Sequence, residues 1–229
     1  MSNVVKPPAP SLRPAARAYR PRPDRPGQIL EAACRAIVAR GFPATRIADI
    51  AREAGTSTGT IHYYFETRDE VLVGALKWAS ERIFARLDAL AAEPRSEREK
   101  LAELLHRAVP HPGPAREEYL LWVELWVRVL HAPELLPECE ELSSRWRAFF
   151  FAAVRRGTEA GEFGPVAEPD TVAERLLALI DGLGFETVLG YRWASPAGMR
   201  ARLLDFAAEQ LRIPRAELER HADVAAARG

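Results

Sequence analysis

Gly55 stands between two short helical patterns, and no other feature limits the fold of this chain as tightly. On its N-terminal side Ile47, Ile50, Ala51 and Ala54 follow one another at three- and four-residue steps behind Thr45, a side chain suited to N-capping. That pattern predicts an amphipathic helix from about Arg46 to Ala54. Glycine accepts the left-handed backbone that closes a helix and turns the chain sharply. Ser57 is then placed to cap a second short helix running through Thr60 to Tyr64. Helices joined by so tight a turn cross steeply, which calls for a small residue, here Ala51, at the contact and lets Ile50 and Ile61 bury against each other.

The second helix would expose Thr58, Thr60, His62 and Tyr63, whose hydroxyl and imidazole groups suit phosphate oxygens and base edges. Gly59 would let the backbone approach a phosphate closely. The pattern therefore reads as a DNA-binding helix-turn-helix, with an ordinary helical hairpin as the competing reading. Phosphate contacts are expected from Thr45, Thr60, His62, Tyr64 and Arg68, and base reading from Arg46, Thr58 and Tyr63.

The run from Ile29 through Leu72 resembles the N-terminal domain of the TetR family of bacterial transcriptional regulators. The resemblance rests on Gly41-Phe42 after the first helix, Thr45, the segment IAREAG, and SxGTIxYYF followed by Arg68 where the family usually has Lys. His62 stands where the family most often has Tyr. More loosely, LWVELWVRVL, RWRAFF, RRGTEAGEF and LLALIDGLGFE follow the order of the ligand-binding half of BetI-type regulators. That likeness implies an effector pocket in the C-terminal part and dimerisation through the last two long helices.

With 229 residues and 48% hydrophobic content, the chain can bury a substantial core. It contains no apolar run able to span a bilayer, and its start lacks the apolar core of a signal peptide, so a cytoplasmic protein without membrane contact is expected. Cys34 and Cys139 suggest neither a disulfide nor a zinc site. The formal net charge is zero, yet residues 1–70 hold 11 Lys and Arg against 7 Asp and Glu, a net of +4 balanced by −4 in the remainder. A basic N-terminal part suits a protein whose first domain alone meets nucleic acid.

In chain order, residues 1–24 are Pro-rich, carry Arg13, Arg17, Arg20 and Arg22, and predict a disordered arm able to lie in a minor groove or simply to solubilise. A helix from about Arg25 to Arg40 supports the other two and completes a DNA-binding domain over residues 25–70. Thr67 and Glu70 form a capping box that opens a helix of about twenty residues. Helical segments near 97–109, 115–132, 137–161, 169–193 and 196–211 follow, each bounded by Pro or Gly, and no strand-like alternation appears. The expectation is an all-α chain, its ligand-binding and dimerisation bundle spanning residues 71–214 and residues 215–229 forming a frayed tail.

Tyr119 to Leu130 is apolar on nearly every side and predicts a helix buried in the middle of the bundle. Glu124 and Arg128 within it either pair along the helix or place Glu124 beside Trp122 and Trp126 in a cavity for a cationic or aromatic ligand. Residues two apart point in different directions, so only part of that set can face one cavity. Phe149, Phe150 and Phe185 complete the candidate lining, and Leu176, Ile180, Leu183 and Leu203 are candidate dimer contacts. Gly182, Gly184 and Gly190 would weaken an isolated helix, which calls for a packing reason.

No GxSxG elbow, HExxH, P-loop or Rossmann glycine pattern occurs, and the five histidines are scattered, so no catalytic site, metal or cofactor is expected. The reading is a homodimeric transcriptional repressor on a palindromic operator, released by a small-molecule effector of unknown identity. An activator, or an architectural DNA-binding protein without an effector, is the alternative.

Overall fold

The computed structural model describes residues 24–166 and 168–227, and those residues form ten α-helices and no strand. Residues 1–23 of the expected arm, 1–24, lie outside the described residues; Asp24 is the N-cap of the first helix and accepts the Gly27 N–H. The first three helices, α1 (Arg25–Arg40), α2 (Ile47–Glu53) and α3 (Thr58–Tyr64), make the head. Ile29, Ile37, Phe42, Ile50 and Ile61 fill its core, and Gly55 turns the chain at φ +58°.

Thr67 opens α4 (Arg68–Ala92) by accepting the Glu70 N–H at 3.0 Å, while the Glu70 carboxylate accepts the N–H of Glu66 at 2.7 Å. At 25 residues this helix is about 38 Å long. Its first turns pack on α1, and its later turns carry Phe84, Leu87 and Leu90 into the body.

The body comprises α5 (Glu97–Arg107), α6 (Pro114–His131), a 3₁₀ turn at Pro133–Leu135, α7 (Leu136–Glu159), α8 (Pro169–Leu189), α9 (Pro196–Leu211) and α10 (Arg215–Ala226). Ser96 and Glu99 cap α5 reciprocally. Gly190, at φ +74°, ends α8 four residues short of Trp193, so Tyr191 and Trp193 belong to the connection to α9.

Two expectations of the sequence are overturned here. Residues 215–226 are a packed helix rather than a frayed tail, because Leu218, Ala222 and Ala225 bury against the body and Glu217 pairs with Arg98 of α5 at 2.8 Å. Nor is α6 buried all round. Only Leu121 and Leu125 are fully enclosed, and Val127 and Leu130 face solvent. Its remaining faces serve two separate tasks, one toward the body's interior and one toward the head.

A candidate DNA-reading face and an aromatic cavity

Ser57 shapes the candidate reading helix by accepting the Thr60 N–H at 3.1 Å, and its hydroxyl also meets that of Thr60 at 2.9 Å. Ile61 anchors α3 to the core, which turns Thr58, Gly59, His62 and Tyr63 outward, with Tyr63 78% exposed. The Tyr64 ring, half-buried, meets that of Tyr63 edge-on at 4.9 Å. A cleft lined by Arg25, Thr56, Ser57, Gly59, Thr60, Tyr63 and Tyr64 runs along this face. Arg25, from the start of α1, was not among the expected contacts, since nothing local in sequence places the first residue of one helix beside the third. The Arg46 side chain is exposed, while its backbone N–H is taken by Asp49 at 3.3 Å.

Thr45 is no part of this face. It is 0% exposed, and its hydroxyl donates to the α1 terminus, 2.8 Å from the Gly41 carbonyl and 3.3 Å from that of Ala36. The N-cap position of α2 falls to Arg46 instead. Arg68 is likewise engaged internally. It donates to the Pro43 and Thr45 carbonyls at 3.2 and 3.4 Å and to Asp69 at 3.1 Å, bracing the chain between α1 and α2.

The body contains a cavity of about 230 Å³ bounded by α4, α5, α6, α7 and α8. Tyr119, Trp122 and Trp126 project into it from one face of α6, Trp146 and Arg147 from α7, and Ile180 and Asp181 from α8. Tyr119 and Trp126 meet edge-on at 6.2 Å. The Tyr119 hydroxyl donates to the Asp181 carbonyl at 2.9 Å, and burial raises the pKa of its phenol. Gly184 makes that position possible: a Cβ there would stand 2.4 Å from the Tyr119 oxygen. Two more glycine questions close with it, Gly190 as the left-handed cap of α8 and Gly182 as a bare spot with nothing within 4 Å of its Cβ position.

Charges of both signs border the cavity, and most are committed. Glu118 pairs with Arg86, Arg107 donates to Glu103 at 2.6 Å, and Arg147 lies 3.8 Å from Glu174. Asp181 makes no ion pair among the described residues. Desolvation pushes its carboxyl above the usual range although the residue keeps solvent access, and Arg147 opposes that rise.

Several expected lining residues lie elsewhere. Glu124, about 200° around the helix from Trp122 and Trp126 at 100° per residue, faces away from the cavity and accepts the Phe42 N–H at 2.8 Å. Arg128 does not pair with it but with Asp69 at 2.9 Å, its guanidinium 5.5 Å from the centre of the Phe42 ring. Phe150 is core behind Trp146, Phe149 stacks on Phe84, and Phe185 is 42% exposed. Of the candidate dimer contacts, Leu176, Ile180 and Leu203 are buried within the chain, and Leu183 is partly buried against the core. The large apolar residues that α8 leaves to solvent are Phe185 and Leu189, followed by Tyr191 and Trp193.

Neither cysteine takes part in a disulfide, and burial drives the Cys34 thiol up to about 12, which disfavours its thiolate. No group of three metal-ligating side chains occurs among the described residues, nor a described helix long and apolar enough to cross a membrane.

Residues 29–75 match the model of bacterial regulatory proteins of the tetR family, and residues 97–212 match that of the C-terminal domain of BetI-type transcriptional repressors. The regulator PksA of Bacillus subtilis is 30% identical over 71% of this chain and 78% of its own. The BetI regulator of Agrobacterium fabrum is 29% identical over 70% of this chain and 75% of its own. Among solved structures, a transcriptional regulator from Saccharomonospora viridis in complex with choline superposes with a TM-score of 0.74 at 35% identity, covering 80% of this chain and 94% of that one. A TetR-family regulator from Rhodococcus gives 0.69 at 26% identity, over 82% of this chain and all of its own.

Proposed function

This chain belongs to the TetR family of bacterial transcriptional regulators, and from that membership we propose that it is a homodimeric repressor that leaves a palindromic operator when a small organic cation enters its aromatic cavity. One observation carries the reading. A single helix, α6, presents Trp122 and Trp126 to the cavity and, from other faces, Glu124 and Arg128 to the head. A ligand that resets the tryptophans therefore moves the groups that hold Phe42 and Asp69, and through them the angle of α3.

The proposed reading head is residues 25–70. Tyr63, Thr58 and Arg46 read bases, while Thr60, His62, Tyr64 and Arg25 contact phosphates. The proposed effector domain is residues 71–226, extended beyond residue 214 because α10 packs into it. The cation is suggested by three tryptophans and a tyrosine around a carboxylate without a partner, since the electron-rich ring faces and Asp181 both attract positive charge. Choline in the Saccharomonospora regulator is consistent with this class. Dimerisation is assigned to the α8 stripe of Ala178, Gly182, Phe185 and Leu189, where the bare glycine lets a second copy approach closely. The protein would act in the cytoplasm, beside the genome it reads.

The decisive experiment selects bound fragments from the source genome and titrates the winning duplex with choline and other quaternary ammonium compounds. Loss of operator binding only on addition of a cation supports the reading. Tight binding to a non-palindromic site by a monomer, or indifference to every cation, would overturn the corresponding part.

A further inference from the structure

His106 lies in the last turn of α5 and His111 in the connection to α6. Their ring centroids are 4.7 Å apart with planes at 35°. His106 Nδ1 and His111 Nε2 are sealed from solvent without a hydrogen-bond partner among the described residues. A second proton on either imidazole would thus find no acceptor at the buried nitrogen.

The surroundings oppose that proton from several elements. Arg200 of α9 acts on both rings and is held in place by Asp223 and Glu219 of α10. Arg107 of α5 acts on His106, and the one opposing carboxylate, Glu103, is already engaged by Arg95 and Arg107. Burial and these cations hold both imidazoles below the ordinary 6.5. The packed arrangement is therefore intact above that pH. As pH falls below it, open conformations take up protons first and gain population, until the packed pair itself titrates.

The pair also adjoins the cavity, because Arg107 and Ala108, between the two histidines, form part of its wall. The His111 carbonyl accepts the Arg116 N–H at 3.0 Å, which fastens the same connection to the first turn of α6. We propose that His106 and His111 are a proton-operated latch on the cavity wall: acidification charges the pair, expels His111 with the connecting segment toward water, and loosens the cavity. The latch adds a second input, pH, to the small-molecule input, and its effect on ligand affinity rests on the effector reading above.

Tryptophan emission reports the wall directly, since Trp122, Trp126 and Trp146 all line it. Titrated from about pH 8 to about pH 5, the parent protein should show a transition that His106→Gln and His111→Gln each abolish. His111→Phe, which keeps a flat ring in place, gives the same test should the amide unfold the chain. Asp181 lies in the same cavity with a raised pKa; a transition that survives both histidine substitutions and disappears in Asp181→Asn would overturn the latch, as would its absence from the parent. Choline, which has no ammonium proton to lose, serves as the ligand probe. Its affinity should fall on acidification in the parent and fall less steeply in His111→Phe, where Asp181 still titrates; an equal fall in both would overturn the latch. Failure of choline to bind even at neutral pH would count against the effector reading alone, leaving the emission titration to decide on the latch.

Discussion

The Glu124 carboxylate accepts the backbone N–H of Phe42 at 2.8 Å, joining the end of the first helix to the middle of α6 across 82 positions of sequence. A charged acceptor on a half-buried amide is worth about 1.5–3 kcal/mol, enough to make the head follow the body. Beside it, Arg128 grips Asp69 and lies over the Phe42 ring, so the junction has two attachments on consecutive turns of one helix.

Glu124→Ala should leave ligand affinity close to that of the parent, because the side chain points away from the cavity, yet should blunt ligand-driven release from DNA. Glu124→Gln keeps an acceptor for Phe42 and should preserve much of the response. Calorimetry for the ligand and fluorescence anisotropy for the operator separate the two quantities. A large loss of ligand affinity in either variant would return Glu124 to the cavity.

At the reading face, Tyr63→Ala should lower operator affinity by about 1–3 kcal/mol and erode sequence preference without changing thermal stability, since the ring is almost wholly solvent-exposed. Arg25→Ala, at a proposed phosphate contact, should weaken all sequences alike and reduce the salt slope by about 1. Arg68→Ala should instead lower the melting temperature of the head, because its guanidinium holds the Pro43 and Thr45 carbonyls. Salt titrations and thermal melts on the three variants would expose a wrong assignment.

Gly184→Ala would drive a methyl group into Tyr119, whose oxygen stands 2.4 Å from the Cβ position. Displacing that ring should cost about 1–3 kcal/mol in stability and remodel the cavity. Asp181→Asn is the gentler change: it should weaken a cationic ligand while sparing operator binding. Ligand affinity equal to that of the parent in both variants would rule out this cavity as the effector site.

Leu189→Glu should produce a folded monomer with weak, salt-sensitive DNA binding, because the side chain is 50% exposed and its charge need not enter the core. Leu176→Glu, at a position buried within the chain, should unfold the body by several kcal/mol. Sedimentation and circular dichroism distinguish these outcomes, and a Leu189→Glu dimer as tight as the parent would move the interface elsewhere.

Local spacing made much of the head legible. Ile50, Ala51, Gly55, Ser57 and Ile61 play the parts their positions suggested, because helix caps and faces depend on neighbours three or four residues away. What holds Thr45 and Arg68 in place is not legible in the sequence, for the opposite reason. Their polar groups end on carbonyls at the α1–α2 junction, and only the packed chain reveals that these acceptors are in reach. In the body, helical geometry already warned that Glu124 could not share a face with Trp122 and Trp126, but not where it would go. Asp181 had no local signal at all, and Gly184 only the cost of a glycine inside a helix, since what both do depends on a tyrosine 62 positions before Asp181.

The position of α10 bears on how the protein is made. Arg98, near the start of the body, is held by Glu217, 119 residues further along, and Arg200 is held by Asp223. The head closes through short-range contacts and can form while the ribosome is still translating the bundle. The bundle cannot close in the same way until its last helix has been synthesised. A nascent chain would then carry a finished DNA-reading head before it has a finished body, so assembly of the proposed dimer would be a late, post-translational step in its maturation.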